Sequence, residues 1–138
     1  MPKVLLDTNT YSLFKRNKSE DAKKILEFSE EIGLPSVVIA ELYAGFFDGT
    51  QFTENESELE IFLSELNVSI IRISDTTLRI FGEQKTELKR IGITVPHNDL
   101  WIASLAIEHD FVVYSLDKHL RMIPSITVIQ SFMEFLDL

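Results

Sequence analysis

The 138-residue sequence contains no cysteine, so the chain can form neither a disulfide framework nor a thiolate zinc site. It also lacks long hydrophobic runs: its apolar stretches are short and interrupted by polar residues, and none predicts a membrane-spanning helix. The first residues, MPKVLLD, include no small-residue cleavage site, and we predict no secretory signal. Together these absences lead us to expect a cytoplasmic protein that makes no contact with a membrane.

Positive charge is also scarce. The chain has 13 lysines and arginines against 22 aspartates and glutamates, a net charge of −9. A protein that bound nucleic acid chiefly by neutralising phosphates would have the opposite balance, whereas an acidic surface suits a basic protein partner. Two basic clusters are present nevertheless, at residues 15–18 (KRNK) and at Lys85, Lys89 and Arg90 of one predicted helix. We interpret each cluster as a solvated face.

The apolar residues, 45% of the chain, alternate between strand-like and helix-like patterns. Strands are predicted at residues 3–6, 34–36, 68–73, 111–115 and 127–129. Helices are predicted at residues 10–14, 19–32, 37–47, 54–66, 75–91 and 97–109, followed by a terminal helix that Ser131 caps. Gly33 is predicted to end the second helix, and residues 116–118 to form a turn. Because strands alternate with helices, we predict a single α/β domain over residues 1–138, with a parallel sheet of about five strands between helices.

Four acidic residues lie at the edges of apolar stretches that should be buried: Asp7, Glu41, Asp99 and Asp117. Each alone could be a helix cap, a turn residue or a side chain that reaches solvent. All four, however, can reach the edge of the sheet where parallel strands end and ligands collect. Converging carboxylates repel one another unless a cation lies between them, and hard oxygen ligands suit Mg²⁺ or Mn²⁺. The joint pattern therefore favours metal-dependent phosphate chemistry.

Four motifs surround these acids: VLLDTN at residues 4–9, SVVIAELYAG at 36–45, NDLWIA at 98–103 and SLDKHL at 115–120. In order and spacing, over nearly the whole chain, the sequence resembles the PIN-domain ribonucleases and, among them, the VapC-type toxins of bacterial toxin–antitoxin pairs. The resemblance implies a three-layer α/β/α PIN-like fold and an endoribonuclease that depends on Mg²⁺ or Mn²⁺. It also implies a homodimer that cuts RNA and is neutralised by a small cognate antitoxin.

The resemblance also implies roles for individual residues. The metal ligands, direct or through water, would be Asp7, Glu41, Asp99 and Asp117. Asp99 or Asp117 could instead act as a base through water. Polar side chains that orient these ligands would be those of Thr8, Asn9 and Ser115. The aromatic residues Tyr43, Phe46 and Phe47 are expected to pack in the core or to form a partner interface.

The sequence departs from the family pattern at three positions. Ser115 replaces a common threonine and Leu120 a common phenylalanine, and both changes keep the chemical type. His119 stands where some members carry a further acid, which predicts a weaker second metal site and allows catalysis with one ion. His97 and His119 flank Asp99 and Asp117, so they could line the cleft, although a surface role is the more common one for such residues.

Two alternative functions fit parts of the pattern. A haloacid-dehalogenase-type phosphatase also begins with a strand followed by an aspartate, but it requires a second aspartate where this chain has Asn9. A catalytically inactive PIN-like module that only binds proteins is the other alternative. The presence of all four acids argues against it, because an inactive module has no need of them.

Overall fold

A five-stranded sheet forms the centre of the computed structural model, which describes all 138 residues. Its strands are β1 (Lys3–Leu6), β2 (Glu31–Pro35), β3 (Val68–Ile71), β4 (Val112–Tyr114) and β5 (Val128–Ile129). The helices are α1 (Thr8–Lys15), α2 (Glu20–Phe28), α3 (Ser36–Asp48), α4 (Phe52–Leu63), α5 (Asp75–Arg90), α6 (His97–His109), α7 (Lys118–Arg121) and α8 (Phe132–Leu136).

The strands are all parallel and lie in the order β3-β2-β1-β4-β5. The chain moves outward from β1 to β3 and then returns to place β4 on the other side of β1. This reversal opens a crevice at the carboxyl ends of β1 and β4, which is where open α/β sheets bind their ligands. The predicted parallel sheet in a three-layer α/β/α fold is confirmed.

The central strand is covered on both faces. Val4, Leu5 and Leu6 succeed one another along β1, so their side chains alternate between the two faces of the sheet, yet all three are fully buried. A strand buried in this way requires a layer of helices on each side. None of the helices combines the length and apolar character needed to cross a bilayer.

The boundary between the second helix and the second strand was predicted wrongly. Helix α2 ends at Phe28, where Ser29 takes an extended backbone conformation, and residues 31–35 form β2. Ile32 and its neighbours pair with β1 on one side and β3 on the other, and these ladders outweigh the helical spacing of the apolar residues. Residues 118–121, predicted to begin within a turn, form the short helix α7. The other predicted elements differ from the structure only by a few residues at their ends.

Gly33, predicted as a helix terminus, instead lies in the middle of β2. A Cβ atom at this position would be 2.6 Å from Leu5 Cδ2, 2.8 Å from Ile71 Cγ1 and 3.1 Å from Phe111 Cε1. The three neighbouring side chains are themselves buried and cannot withdraw freely. The absence of a side chain is therefore what allows the layers to close over β2.

We expect the substitution Gly33→Ala to destabilise the protein by about 1–3 kcal/mol, because the added methyl group overpacks the core. Urea unfolding measures the change as a lower midpoint. Gly82→Ala is the matched control: a Cβ there meets nothing within 4 Å, and removing a glycine from an exposed helix interior should stabilise by about 0.5–1 kcal/mol. Equal midpoints for the two variants would contradict the packing explanation.

Candidate active site

Asp7 lies directly after β1 and caps helix α1. Its carboxylate is only 6% exposed and accepts hydrogen bonds from the Thr10 amide, at 2.8 Å, and from the hydroxyl of Ser115. The Thr10 hydroxyl lies 2.9 Å from Asp7 Oδ1 and 3.0 Å from the Tyr114 carbonyl oxygen, and it accepts a bond from the Asp7 amide. This reciprocal capping arrangement holds the carboxylate at the end of the strand.

A chain of hydrogen bonds connects Asp7 to the end of β4. The Ser115 hydroxyl donates to Asp7 and accepts a bond of 2.9 Å from the Asp117 amide. Asp117 Oδ1 accepts the His119 amide at 2.7 Å and lies 3.0 Å from His119 Nδ1. Ser115 thus uses its proton and a lone pair at once, which a hydroxyl can do and an apolar side chain cannot.

Glu41 reaches the site from helix α3. Its two carboxylate oxygens accept bonds from Thr8 Oγ1 at 3.2 Å and from Asn98 Nδ2 at 2.8 Å. These contacts connect the first turn of α1 to the first turn of α6. The Thr8 hydroxyl therefore contacts one of the four predicted acids.

The structure assigns Asn9 a different position from the one expected. Asn9 is exposed and its side chain makes no hydrogen bond, whereas Thr10 makes the contacts that the sequence suggested for Asn9. The reason is helical geometry, since the third residue of α1 faces its cap and the second faces solvent. Two polar residues that orient carboxylates, Thr10 and Asn98, were not identified from the sequence. Asn98 could have been found from its position beside Asp99.

Asp99, in the first turn of α6, is the carboxylate that the surroundings perturb most. Burial raises its pKa to about 6, and the charge of Asp117 is the next largest cause. Asp7 and Glu41 act in the same direction, and His119 opposes them. The other three predicted acids therefore all lie close enough to act electrostatically on Asp99. Asp99 itself accepts no hydrogen bond from the protein, so His119 alone offsets part of the repulsion.

The tightest group of possible ligands is Asp99, Asp117 and His119, whose ligand atoms all lie within 4.8 Å of one another. Asp7 and Glu41 lie outside this triplet. His119, expected at the surface, is thus half-buried beside the acids, whereas His97 points elsewhere, to Lys85. The carboxylates of Asp99 and Asp117, with two more carboxylates nearby, are donors that fit a hard divalent cation such as Mg²⁺ or Mn²⁺, whereas the imidazole of His119 is a softer donor.

The raised pKa of Asp99 predicts that cation binding depends on pH. A divalent ion requires the deprotonated carboxylate, so binding must displace the proton that Asp99 holds below pH 6. We expect the apparent affinity for Mn²⁺ to fall about tenfold per pH unit below that value and to level off above pH 7. Calorimetry in two buffers of different ionisation enthalpy measures the released proton. Proton release that does not change between pH 8 and pH 5.5 would contradict this assignment.

Comparison with known proteins gives a consistent result. The PIN domain family matches residues 4–125. Ribonuclease VapC2 of Rickettsia felis is 35% identical over an alignment 127 residues long, which covers 88% of this chain and 92% of that protein.

Two solved structures share the fold over nearly their whole length. VapBC2 from Rickettsia felis, bound to a DNA fragment from its promoter, has a TM-score of 0.78 at 27% identity and covers 92% of this chain and 97% of that chain. DNA-bound VapBC from Salmonella typhimurium has a TM-score of 0.80 at 25% identity and covers 94% and 98%.

Proposed function

Because the chain belongs to the PIN-domain family and, within it, to the VapC ribonucleases, we propose that it is a divalent-metal-dependent endoribonuclease acting as the toxin of a toxin–antitoxin pair. The observation that carries the metal dependence is the crowding of half-buried Asp99 by three other carboxylates, which no hydrogen bond to Asp99 relieves. Perturbed carboxylates gathered in this way are typical of functional sites. Membership of this family excludes the phosphatase alternative.

Asp99, Asp117 and His119 would hold the ion, with Asp7 and Glu41 contributing directly or through water. When bound, the divalent ion supplies Lewis acidity toward a phosphodiester and activates a water molecule for hydrolysis. The rest of the site orients these ligands: Thr10 and Ser115 hold Asp7, and Thr8 and Asn98 hold Glu41.

Among the acids, Asp99 is best suited to accept a proton from an attacking water. Its carboxylate is free of protein hydrogen bonds, whereas Asp117 Oδ1 is already engaged by the amide and the imidazole of His119. We further propose a single strong ion site, which is supported by the presence of only one close ligand triplet.

The test is RNA cleavage by the purified protein with Mg²⁺, with Mn²⁺ and with a chelator. We expect cleavage with either ion, none with chelator, and none from the Asp7→Ala and Asp99→Ala variants. An inactive interaction module would cut nothing under any of these conditions and would keep its partner binding after both substitutions. If the folded wild type cuts no RNA from a broad pool and binds no Mn²⁺ by calorimetry, the nuclease proposal is wrong.

We propose that the chain forms a homodimer in the cytoplasm, where its RNA substrate and its antitoxin are made. The VapBC similarity supports a cognate antitoxin. Exposed aromatic surface supports a protein interface: Phe47 is 74% exposed, and its ring lies 4.5 Å from that of Phe52 at the turn between α3 and α4.

A net charge of −9 and four clustered acids suggest that the antitoxin inserts a basic segment into the acidic site. Salt should then weaken the toxin–antitoxin complex, because ions screen the attraction between the basic segment and the carboxylates. We expect the dissociation constant to rise at least several-fold between about 0.05 and 0.5 M salt, because the Debye length shortens over this range and the charges are screened. A titration that shows no dependence on salt would argue against an electrostatic contact.

A further inference from the structure

A groove with a basic rim lies at the end of α6 that also carries Asp99. It has a volume of about 460 Å³ and is formed by the end of α5, the beginning of α6 and the loop between them. Lys85, Lys89 and His97 supply its polar rim, and Leu88 and Leu100 are among the residues of its apolar floor. No step of the proposed function has used this groove.

The antiparallel packing of α5 and α6 places the groove at the rim of the active site. At one end of the pair, Glu108 of α6 accepts bonds from Ser74 and Thr77; at the other end, Lys85 meets His97. The His97 end of α6 is the end that carries Asp99. The last turns of α5 therefore lie at the end of α6 that carries Asp99.

The first turn of α6 divides its side chains between the two sites. Asp99 joins the carboxylate cluster, Asn98 bonds Glu41, and His97 bonds the ammonium of Lys85 at 3.1 Å. The three residues lie within a single helical turn, whose pitch is about 5.4 Å. His97 and Asp99 are about 200° apart around the helix axis, so an RNA strand that reaches both the acids and the groove crosses the start of α6.

The lysines of the groove have no carboxylate partner. Glu83 and Glu87, the glutamates of the same helix, are paired with Arg79 and Arg90. Lys85 and Lys89 are spaced i, i+4, an arrangement in which like charges destabilise a helix. The helix dipole favours a cation at Lys89 in the last turn, but Lys85 lies outside that turn.

His97 holds one of these cations in place. An ammonium group has only donors, so Nε2 of His97 is the acceptor in the contact with Lys85. The imidazole in turn packs edge-on against Phe81, at 5.7 Å between ring centroids, and Phe81 stacks on Trp101 at 4.0 Å. A lysine ammonium held on a rigid aromatic base is prepared to meet an anion without further ordering.

We propose that this groove binds the phosphodiester backbone of the RNA substrate next to the bond that is cut, with Lys85 and Lys89 contacting phosphates and His97 positioning Lys85. The inference rests on the proposed nuclease function and identifies where its substrate lies. It also accounts for how so acidic a chain can hold RNA: the cations lie at the end of α6 that carries Asp99, where they offset the repulsion between the acids and the substrate.

The test compares the double variant Lys85→Gln/Lys89→Gln with the control Lys23→Gln/Lys24→Gln. The control pair removes the same charge from exposed positions of α2, which packs against α1 and α8. Binding is measured by fluorescence anisotropy of a labelled single-stranded RNA of mixed sequence. Each pair is introduced into an Asp99→Asn parent, so that binding can be read whether or not the wild type cuts this RNA. Cleavage kinetics with Mn²⁺ are measured for each pair in the wild-type background.

We expect the groove variant to bind RNA roughly 10- to 30-fold more weakly near 0.1 M salt, because it loses two phosphate contacts and the counterion release that accompanies them. Each lost contact also lowers the steepness of log affinity against log salt by about 0.7. The slope should fall by about 1.4. In the cleavage assay KM should rise by a similar factor while kcat stays unchanged, since the carboxylates are intact. The α2 control should match its parent in both assays.

The outcomes separate this inference from the nuclease proposal. If the wild type cuts RNA and the groove variant has an unchanged KM, the groove does not bind the substrate, whereas the nuclease proposal is supported. RNA binding that depends on the two lysines, without any cleavage, would support the groove and overturn the nuclease proposal. The proposal that the groove binds RNA would also be wrong if the groove variant and the α2 control bound RNA equally well. It would be wrong as well if the Asp99→Asn parent, with its lysines intact, bound no RNA.

Discussion

Replacing Asp99 by asparagine should abolish RNA cleavage and leave the metal-free protein at least as resistant to heat as the wild type. The loss of activity should be at least about 100-fold, because the variant lacks a ligand and the group best suited to accept a proton. Stability should not fall, because Asp99 accepts no hydrogen bond and its charge is repelled by Asp117, Asp7 and Glu41. Most substitutions of half-buried residues lower stability, so the sign of this effect is diagnostic.

The pH dependence tests the cause of that stability. The pKa of Asp99 is higher in the folded protein, at about 6, than in an unfolded chain, so the folded state binds more protons between these values. The wild type therefore gains stability from this group as the pH falls from 7 to 4, and the advantage of the Asp99→Asn variant should shrink over the same range. Thermal unfolding with chelator at several pH values measures the difference.

A matched variant separates the site from simple charge removal. Asp110→Asn removes the same charge at the far end of α6, where asparagine accepts the left-handed backbone conformation of residue 110. It should cut RNA at the wild-type rate. If the Asp99→Asn variant melts well below the wild type at pH 7, the carboxylate is part of the scaffold and the repulsion explanation is wrong.

Replacing Asp7 by alanine should have the opposite signature, with activity and stability lost together. The substitution removes the cap of α1, which typically costs about 0.5–2 kcal/mol. It also leaves the buried hydroxyls of Thr10 and Ser115 without their carboxylate partner, at about 1–3 kcal/mol. We expect a total cost of about 2–4 kcal/mol and at least about a 100-fold loss of cleavage.

Asp7→Asn is the control for this prediction. Asparagine caps helices as well as aspartate does, and its amide oxygen can still accept the bond from the Thr10 amide. This variant should lose activity to a similar degree but only about 1 kcal/mol of stability. Urea unfolding monitors both variants, and an unchanged slope with a shifted midpoint identifies a true stability change. An alanine variant as stable as the wild type would show that the hydrogen-bond chain contributes nothing to the fold.

The contrast between Asp7 and Asp99 follows from their partners. Asp7 accepts bonds from the backbone and two hydroxyls, so the fold uses its charge as an acceptor. Asp99 is half-buried, accepts no hydrogen bond and is repelled by three other carboxylates. One site therefore contains a carboxylate that stabilises the scaffold and another that the scaffold merely tolerates, a division common where function opposes stability.

Much of the architecture could be predicted from short-range patterns. The run of apolar residues in β1, the acid that follows it and the capping residues of the later helices were all visible, because these signals involve residues a few positions apart. The region around Gly33 was not predictable in this way. Apolar residues there have helical spacing, and the strand forms only because β1 and β3 are present on both sides to pair with it.

In the site, too, some residues could be predicted from short-range patterns and others could not. The four acids could be identified from their positions after strands and at helix starts, and the edge of the sheet where they meet follows from parallel topology. Which of His97 and His119 joins the acids, and that Thr10 takes the place of Asn9, could not be identified, because both depend on side-chain direction within a helical turn. Only its position beside Asp99 marked Asn98 in the sequence.

The chain's own order of residues thus determined where helices begin, where strands end and which acids stand at those ends, since capping and apolar periodicity act between near neighbours. Only the tertiary structure decided which of these ends meet. Ser115 bonds Asp7 across 108 positions, and Asn98 bonds Glu41 across 57. These contacts form because the chain returns to place β4 beside β1. That strand order depends on the packing of helices and sheet as a whole, so it cannot be predicted from patterns among neighbouring residues.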